Sequence, residues 1–229
     1  CAPFCGQRVD WEAFLGRALA HPDYQGGVWV SREPPMLEYR NFLTLAEADH
    51  LAALAERLGH HLEDALPKHV RDVWKVDCEA RLCRRDPFVG EVYRRVSDLL
   101  GVPMQNFESL EFLRYGPRQH YTVHPDTTEN ELLEEPAVGS AGLRVMTVFF
   151  YLSDVDSGGA TVFPNANLEV RPEKGKMVVW VNVQDDIWKG SRAAWHSGAP
   201  VERGTKLAAN FWVHPLDYRT PEKFMPESC

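Results

Sequence analysis

Hydrophobic residues recur at helical spacing in three stretches of the first hundred positions. The first is short and covers residues 11–19. The second opens on Thr44 with Glu47 three residues later, the arrangement of a capping box, and it closes on Gly59. The third opens on an Asp-Pro pair and closes on Gly101. Each stretch predicts a helix with one apolar face packed on a core.

The pattern changes near residue 109, where short runs of Val, Phe, Tyr and Thr alternate with Gly, Pro and Asp. Such runs separated by turn residues are typical of β-strands. Strands are predicted near residues 109–115, 120–126, 144–153, 160–164, 176–182, 194–199 and 206–214, with an earlier strand near 36–43. This spacing indicates an α+β, mainly β fold: a sandwich or jelly roll (double-stranded β-helix) with the helices packed on one sheet.

The length of 229 residues suits one large domain or two small ones with a sizeable core. We expect an N-terminal extension over residues 1–30 and a single domain over 31–229. Within that domain we expect helical support over 31–108, a jelly-roll core over 109–215 and a tail over 216–229.

Composition narrows the classes of partner. Hydrophobic residues make up 44% and charged residues 25%, which is ordinary for a globular protein. The net charge of −8 argues against broad nucleic-acid binding. No apolar run approaches the ~20 residues that span a bilayer, so no membrane span is expected in this sequence. Because the chain opens on Cys1 rather than Met, we expect a trimmed fragment whose targeting information lies elsewhere.

The five cysteines form two close pairs with one left over: Cys1, Cys5, Cys78, Cys83 and Cys229. This arrangement favours local disulfides in a secreted or lumenal protein, although reduced thiols remain the alternative. The spacing does not match a zinc finger.

Candidate chemistry begins in the stretch Y-G-P-R-Q-H-Y-T-V-H-P-D, which ends in His124 and Asp126. Residues two apart on a strand point to the same face, so this imidazole and carboxylate can hold one metal ion together. They would supply two ligands of a two-histidine, one-carboxylate iron site, which leaves positions open for oxygen and substrate. His-x-Asp alone is common by chance. The third ligand should come from a distant strand, and His196 is the candidate.

A lysine follows that histidine ten residues later. Lys206 shares a strand face with Ala208, Asn210 and Trp212, because side chains alternate along a strand. A buried ammonium needs an anionic partner, and a bound dicarboxylate would supply one.

Several motifs stand in a characteristic order. They are Y-G at 115, Y-x-x-H-x-D at 121–126, R-V-M-T-V-F-F-Y-L-S-D from 144, G-G-A-T-V-F-P at 158–164, K-G-K-M-V-V-W at 174–180, His196, Lys206 and N-F-W-V-H from 210. In this combination the chain resembles the prolyl 4-hydroxylase family of Fe(II)/2-oxoglutarate dioxygenases, of the collagen and plant/algal type. The resemblance is clear over residues 109–215, fainter over 36–108 and absent over 1–30.

The resemblance implies a metal and a cosubstrate. The Fe(II) ligands would be His124, Asp126 and His196. Lys206 would pair with the distal carboxylate of 2-oxoglutarate, and hydroxyls of Tyr115 and Thr161 would donate to it. Residues 31–229 would then be a catalytic domain that uses O2, with ascorbate as a further cofactor.

The resemblance also implies the substrate. A procollagen-proline 4-dioxygenase-like enzyme would hydroxylate peptidyl proline at C4 while 2-oxoglutarate is decarboxylated to succinate and CO2. Tyr121 and Trp212 offer aromatic faces for the proline ring, and Arg144 and His214 could bond to peptide carbonyls. The partner would be a proline-rich peptide or protein, and the compartment the lumen of the endoplasmic reticulum or Golgi.

Several alternatives stay open. The Arg-Thr-Ser segment usual in this family is missing, and residues 70–83 read V-R-D-V-W-K-V-D-C-E-A-R-L-C, which leaves the peptide preference undecided. The protein could instead oxidise another residue or a small molecule, or be a non-catalytic peptide-binding module on the same fold. The acidic stretch 127–142 is expected to be a mobile loop, and its role as a lid stays undecided, as does the oligomeric state.

Overall fold

The computed structural model describes residues 4, 8–62, 73–78, 83, 85–130 and 141–219. Three helices in this part of the chain match the predictions: α1 (Trp11–Leu19), α2 (Leu45–Leu58) and α3 (Pro87–Leu100). Thr44 and Glu47 form the complete capping box at the start of α2. Asp86 caps α3, and Gly101 ends it in the left-handed conformation that glycine adopts without steric cost.

Fourteen strands accompany the helices in the described residues. They are β1 (Gly27–Arg32), β2 (Pro35–Tyr39), β3 (His61–Leu62), β4 (Trp74–Asp77), β5 (Glu111–Tyr115), β6 (Tyr121–His124), β7 (Met146–Tyr151), β8 (Ser157–Gly158), β9 (Thr161–Phe163), β10 (Leu168–Val170), β11 (Met177–Val181), β12 (His196–Gly198), β13 (Val201–Arg203) and β14 (Lys206–Val213). Every predicted strand has a counterpart. The additional strands are short or lie in the first half of the chain, where no alternating pattern marks them.

Two antiparallel sheets face each other. The major sheet has the order β1-β2-β11-β7-β14-β5-β4-β3, and the minor sheet has the order β10-β9-β12-β6. A separate pair, β13 and β8, lies beside them. This arrangement confirms the jelly-roll core.

Alternation along the major sheet separates two apolar clusters. On β14, Ala209 and Phe211 pack in one cluster with the three helices, whereas Ala208 packs in the other cluster with residues of the minor sheet. Lys206 and Trp212 have the same parity as Ala208 and therefore face the minor sheet. The helices cover one face of the major sheet, and the candidate site lies between the two sheets.

The boundaries predicted for domains stay predictions, but two elements cross or precede residue 31. Helix α1 buries Trp11, Phe14 and Leu15 in the same cluster as the other helices. Strand β1 pairs with β2 at the edge of the major sheet. The described part of residues 1–30 therefore packs on the domain.

Cysteine pairing is visible at one place. A disulfide joins Cys78, directly after β4, to Cys83, shortly before α3. The other three cysteines, most of the predicted loop at 127–142, and the tail beyond residue 219 lie outside the described residues. Within the described ranges, no helix has the length and apolar character needed to cross a membrane.

Candidate active site

The three predicted metal ligands converge on the minor sheet. His124 ends β6, Asp126 follows it, and His196 begins β12 directly opposite His124 in the strand register. One ligand atom from each residue lies within 4.8 Å of the other two. Asp126 Oδ1 is 3.8 Å from His124 Nε2, and Asp126 Oδ2 is 3.7 Å from His196 Nε2. Pro125 comes after the last residue of β6, where its missing N–H removes no ladder bond.

Backbone carbonyls fix the tautomer of both histidines. His124 Nδ1 lies 2.8 Å from the oxygen of Thr122, and His196 Nδ1 lies 3.0 Å from the oxygen of Ala194. A carbonyl only accepts, so each Nδ1 carries the proton and each Nε2 turns a lone pair toward the centre.

Electrostatics keeps these groups in metal-binding form. Burial, reinforced by the charge of His196, lowers the pKa of His124 to about 4, so its imidazole is neutral at pH 7. Burial alone would raise the pKa of Asp126. The two imidazoles and a hydrogen bond from Thr147 outweigh that effect and hold this pKa below its usual value. Two imidazoles and one carboxylate on one side of an opening are a ligand set that fits Fe(II).

Lys206 lies deeper in the same space and is 1% exposed. Its Nζ is 5.0, 5.4 and 5.5 Å from the ring centres of Tyr115, Phe149 and Tyr151. In the part of the chain that the structure describes, no carboxylate lies within ion-pairing distance of this ammonium. Burial therefore lowers the pKa of Lys206 to about 7. A cation in such surroundings requires an anion from outside the chain.

The two predicted hydroxyl donors flank that lysine. Tyr115 is the direct partner of Lys206 across β5 and β14. Thr161 stands on the minor sheet, where its Oγ1 is 2.7 Å from the hydroxyl of Tyr151. The Tyr151 hydroxyl has a second acceptor in reach, the oxygen of Val170 at 3.2 Å. When it donates to the nearer Thr161 Oγ1, the proton of Thr161 is left for a bound carboxylate.

A cavity of about 300 Å³ connects these groups. Nine of the ten predicted site residues line it: His124, Asp126, His196, Lys206, Tyr115, Thr161, Tyr121, Arg144 and Trp212. The ring of Tyr121 stacks on His124 with 3.7 Å between centroids. The guanidinium of Arg144 lies 4.0 Å from the ring centre of Trp212, which marks a second aromatic wall.

The tenth residue, His214, requires a correction. It is fully buried, with Nδ1 2.7 Å from the oxygen of Gly142 and Nε2 2.9 Å from Glu108 Oε1. Strand β14 ends at Val213, so His214 lies beyond the strand whose alternate side chains face the cavity. The expected direct contact of His214 with a peptide is therefore not supported by its position.

Glu108 connects that histidine to the cavity. Its Oε1 accepts from Arg144 Nε as well as from His214, and its Oε2 accepts from Arg144 at 3.2 Å. Burial alone would raise the pKa of Glu108, but His214 and Arg144 together hold it below its usual value. His214 thus supports the Arg144 wall through a shared carboxylate.

Several lining or supporting residues escaped the sequence analysis. They are Thr147 and Asn182 beside the metal ligands, Glu108 behind Arg144, Tyr151 beside Thr161, and the ion pair of Lys75 with Glu111 (2.7 Å) on the wall formed by β4 and β5. None belongs to a local pattern that differs from ordinary strand sequence. Strand register alone brings them together.

Comparison with known proteins shows which family has a similar sequence. A model of the 2OG-Fe(II) oxygenase superfamily matches residues 110–214. Prolyl 4-hydroxylase 5 of Arabidopsis thaliana is 30% identical over 213 residues, which cover 83% of this chain and 72% of that protein. Probable prolyl 4-hydroxylase 8 of the same plant is 31% identical, with coverage of 86% and 75%. The chain belongs to the prolyl 4-hydroxylase family. The resemblance found in the sequence is confirmed.

Membership in the prolyl 4-hydroxylase family identifies the chain as an Fe(II)- and 2-oxoglutarate-dependent oxygenase. A solved structure supports its fold. The viral collagen prolyl hydroxylase of Paramecium Bursaria Chlorella virus-1, in its 2OG complex, superposes with a TM-score of 0.64 at 23% identity and covers 78% of this chain and 95% of the viral protein. The alpha-1 subunit of rat prolyl 4-hydroxylase is 35% identical over 138 residues, or 26% of that longer protein.

Proposed function

We propose that this prolyl 4-hydroxylase family member hydroxylates peptidyl proline at C4 and converts 2-oxoglutarate and O2 to succinate and CO2. One observation carries the proposal. A trio of two imidazoles and a carboxylate shares a cavity with Lys206, a buried ammonium for which the described residues provide no anion. A metal with open positions and a site for a dicarboxylate are the two requirements of this reaction.

Each end of the cosubstrate has a matching group. His124, Asp126 and His196 would hold Fe(II), and bound iron together with 2-oxoglutarate supplies the oxygen chemistry. Lys206 would pair with the distal carboxylate, while Tyr115 and Thr161 present hydroxyls from opposite sheets. The aromatic rings around Lys206 exclude water, which strengthens that ion pair.

Proline would enter from the side of Tyr121. Because this ring stacks on His124, a pyrrolidine resting against Tyr121 lies beside the metal. Arg144, supported by Glu108, would bond to the peptide backbone, and Trp212 would cover the opposite face. The substrate is proposed to be a proline-rich peptide or protein. We further propose ascorbate as the reductant that keeps iron active, and the lumen of the secretory pathway as the compartment.

The test is turnover by protein loaded anaerobically with Fe(II). Succinate release is measured with 2-oxoglutarate, O2 and ascorbate, with and without proline-rich peptides, and mass spectrometry detects the gain of about 16 Da expected for one inserted oxygen. Peptide-stimulated succinate and hydroxylated proline, both lost in His124→Ala, are the expected result. Succinate without a peptide product would retain the oxygenase and reject proline in those peptides. Failure to bind iron would favour a peptide-binding module.

A further inference from the structure

The three metal ligands are held in place in two different ways. Both histidines are oriented by main-chain carbonyls, those of Thr122 and Ala194. Asp126 is instead oriented by a side chain of the major sheet, because Thr147 Oγ1 lies 2.6 Å from Asp126 Oδ2. The carboxylate is therefore the ligand whose orientation depends on side chains that can be substituted.

A second side chain fixes the direction of that hydrogen bond. Asn182 Nδ2 donates to Thr147 Oγ1 at 2.8 Å. An ionised carboxylate only accepts, so the single hydroxyl proton of Thr147 must point to Asp126, and its lone pair is left to accept from the amide. Asn182, Thr147 and Asp126 thus form a one-way relay of two hydrogen bonds.

The backbone makes this relay rigid. Thr147 lies on β7, opposite Trp180 of β11, and Asn182 follows the last residue of β11. The N–H of Asn182 donates to the oxygen of Val145 at 2.9 Å, and its carbonyl accepts from Ser191 N at 2.7 Å. The β-branched side chain of threonine has few rotamers on a strand. Thr147 and Asn182 are 1% and 2% exposed, so water does not compete for their hydrogen bonds.

We infer that Thr147 and Asn182 are positioning residues that hold the Asp126 carboxylate in the orientation needed to bind metal. The inference rests on the ligand set of the proposed function. Partners of this kind typically contribute 10- to 100-fold in metal affinity or activity, because an unsupported ligand must be ordered when the metal binds.

The decisive measurement is the affinity of the metal-free protein for Co(II). Visible absorption of the bound ion reports this affinity and requires no turnover. Thr147→Val keeps the shape of the side chain and removes the hydroxyl, and we expect roughly 10- to 100-fold weaker Co(II) binding. Thr147→Ser restores a hydroxyl, so its affinity should stay within about threefold of the original protein. Asn182→Leu leaves Thr147 without its amide donor and should weaken binding about three- to tenfold.

The relay also predicts how the substitutions combine. Because Asn182 acts on the carboxylate only through Thr147, adding Asn182→Leu to Thr147→Val should cause little further loss of Co(II) affinity. Equal affinities of Thr147→Val and the original protein would overturn the inference, as would fully additive losses in the double variant. Ser97→Ala, which removes a hydroxyl that donates to the oxygen of Val102 beside α3, is the matched control and should bind Co(II) normally.

Two further measurements separate the possible failures. Asp126→Ala tests the ligand set itself, since retained Co(II) binding in that variant would contradict the proposed function rather than the relay. Thermal unfolding of the metal-free variants tests a purely structural role, which would lower the melting temperature and leave the Co(II) affinity of folded protein unchanged. If Thr147→Val does not fold, the contrast between Asn182→Leu and Thr147→Ser decides the matter.

Discussion

Lys176 and Lys206 are both buried lysines on the major-sheet side of the molecule, and they differ in how their charge is balanced. Lys176 is 5% exposed, and its Nζ lies 3.3 Å from Glu173 and 3.7 Å from Glu38. It also donates to the oxygen of Arg171. Lys206 is 1% exposed and faces aromatic rings, with no carboxylate near it in the described residues.

The difference separates a charge that is balanced within the chain from the charge that we propose to bind the cosubstrate. When the carboxylates that pair with a buried cation belong to the same chain, the folded protein needs no ligand to balance that charge. A buried cation without a counter-ion lowers the stability of the ligand-free protein. It also raises the affinity of the site for an anion that can reach it. The second arrangement is what a dicarboxylate cosubstrate requires.

The largest expected effect comes from replacing each lysine by methionine. Lys206→Met removes the partner of the distal carboxylate, which in a desolvated site is worth about 3–5 kcal/mol, so the dissociation constant for 2-oxoglutarate should rise roughly 100-fold or more. Lys176→Met should change it less than about threefold. Calorimetric titration of Fe(II)-free protein loaded with Mn(II) measures both. Similar losses in the two variants would remove the distinction.

A second effect is pH dependence of cosubstrate binding. Burial lowers the pKa of Lys206 to about 7, and only the ammonium form pairs with a carboxylate. Below pH 7 this group is already charged and affinity should be flat. Above pH 7 the ligand-free protein must take up a proton to bind, so affinity should fall by about tenfold per pH unit. Lys206→Arg stays charged throughout and serves as the control, because any slope that it retains belongs to other groups.

A third effect concerns stability, and the two lysines should respond with opposite signs. The pKa of Lys206 is lower in the folded state than in the unfolded chain, so its charge destabilises the fold below pH 7, and the penalty fades as pH rises toward 10. Ligand-free Lys206→Met should therefore be about 1–4 kcal/mol more stable at pH 6 to 7. Lys176→Met should lose about 1 kcal/mol. Denaturant unfolding measures both, and a destabilised Lys206→Met protein would contradict the argument.

The smallest expected effect is at the hydroxyl on the minor sheet. Thr161→Val removes one hydrogen bond to the cosubstrate, worth about 1 kcal/mol, so affinity for 2-oxoglutarate should fall about fivefold. The same titration measures it. Ser97→Ala, whose hydroxyl donates to the oxygen of Val102 and which does not line the cavity, is the control and should bind normally. A loss at Thr161 as large as that at Lys206 would mean that the cation does not dominate this end of the cavity.

The sequence predicted whatever depends on local pattern. Capping residues gave the ends of α2 and α3, and alternation along β14 placed Lys206 on an inner face. Motif order singled out the three residues that the structure brings together as possible metal ligands, because an ordered set of spacings is much more specific than His-x-Asp alone. These features could be predicted because each depends on only a few residues that are close together in the sequence.

What the sequence could not predict depends on register between strands distant in the chain. Thr147 and Asn182 are 35 residues apart and read as ordinary strand residues, yet they meet because β7 pairs with β11. His214 failed in the opposite way. The family resemblance suggested a peptide contact for His214, but this residue follows the end of β14 and bonds to the buried carboxylate of Glu108. Neither the Thr147–Asn182 contact nor the position of His214 can be predicted from the neighbouring residues in the sequence.

The site is divided between two sheets, so the distance between the sheets limits the length of the ligand that can bind in the cavity. The proposed metal ligands lie on the minor sheet or just after its strand β6, whereas Lys206 and Tyr115 lie on the major sheet. A molecule that chelates the metal with one end and pairs with Lys206 at the other must bridge the gap between the sheets. The packing of the two sheets sets that gap. We therefore expect keto diacids with one methylene fewer or more to bind more weakly, because they carry the same charges at a different separation. We therefore expect the spacing of the two sheets to select the length of the cosubstrate, and we expect the bound cosubstrate to link the two sheets.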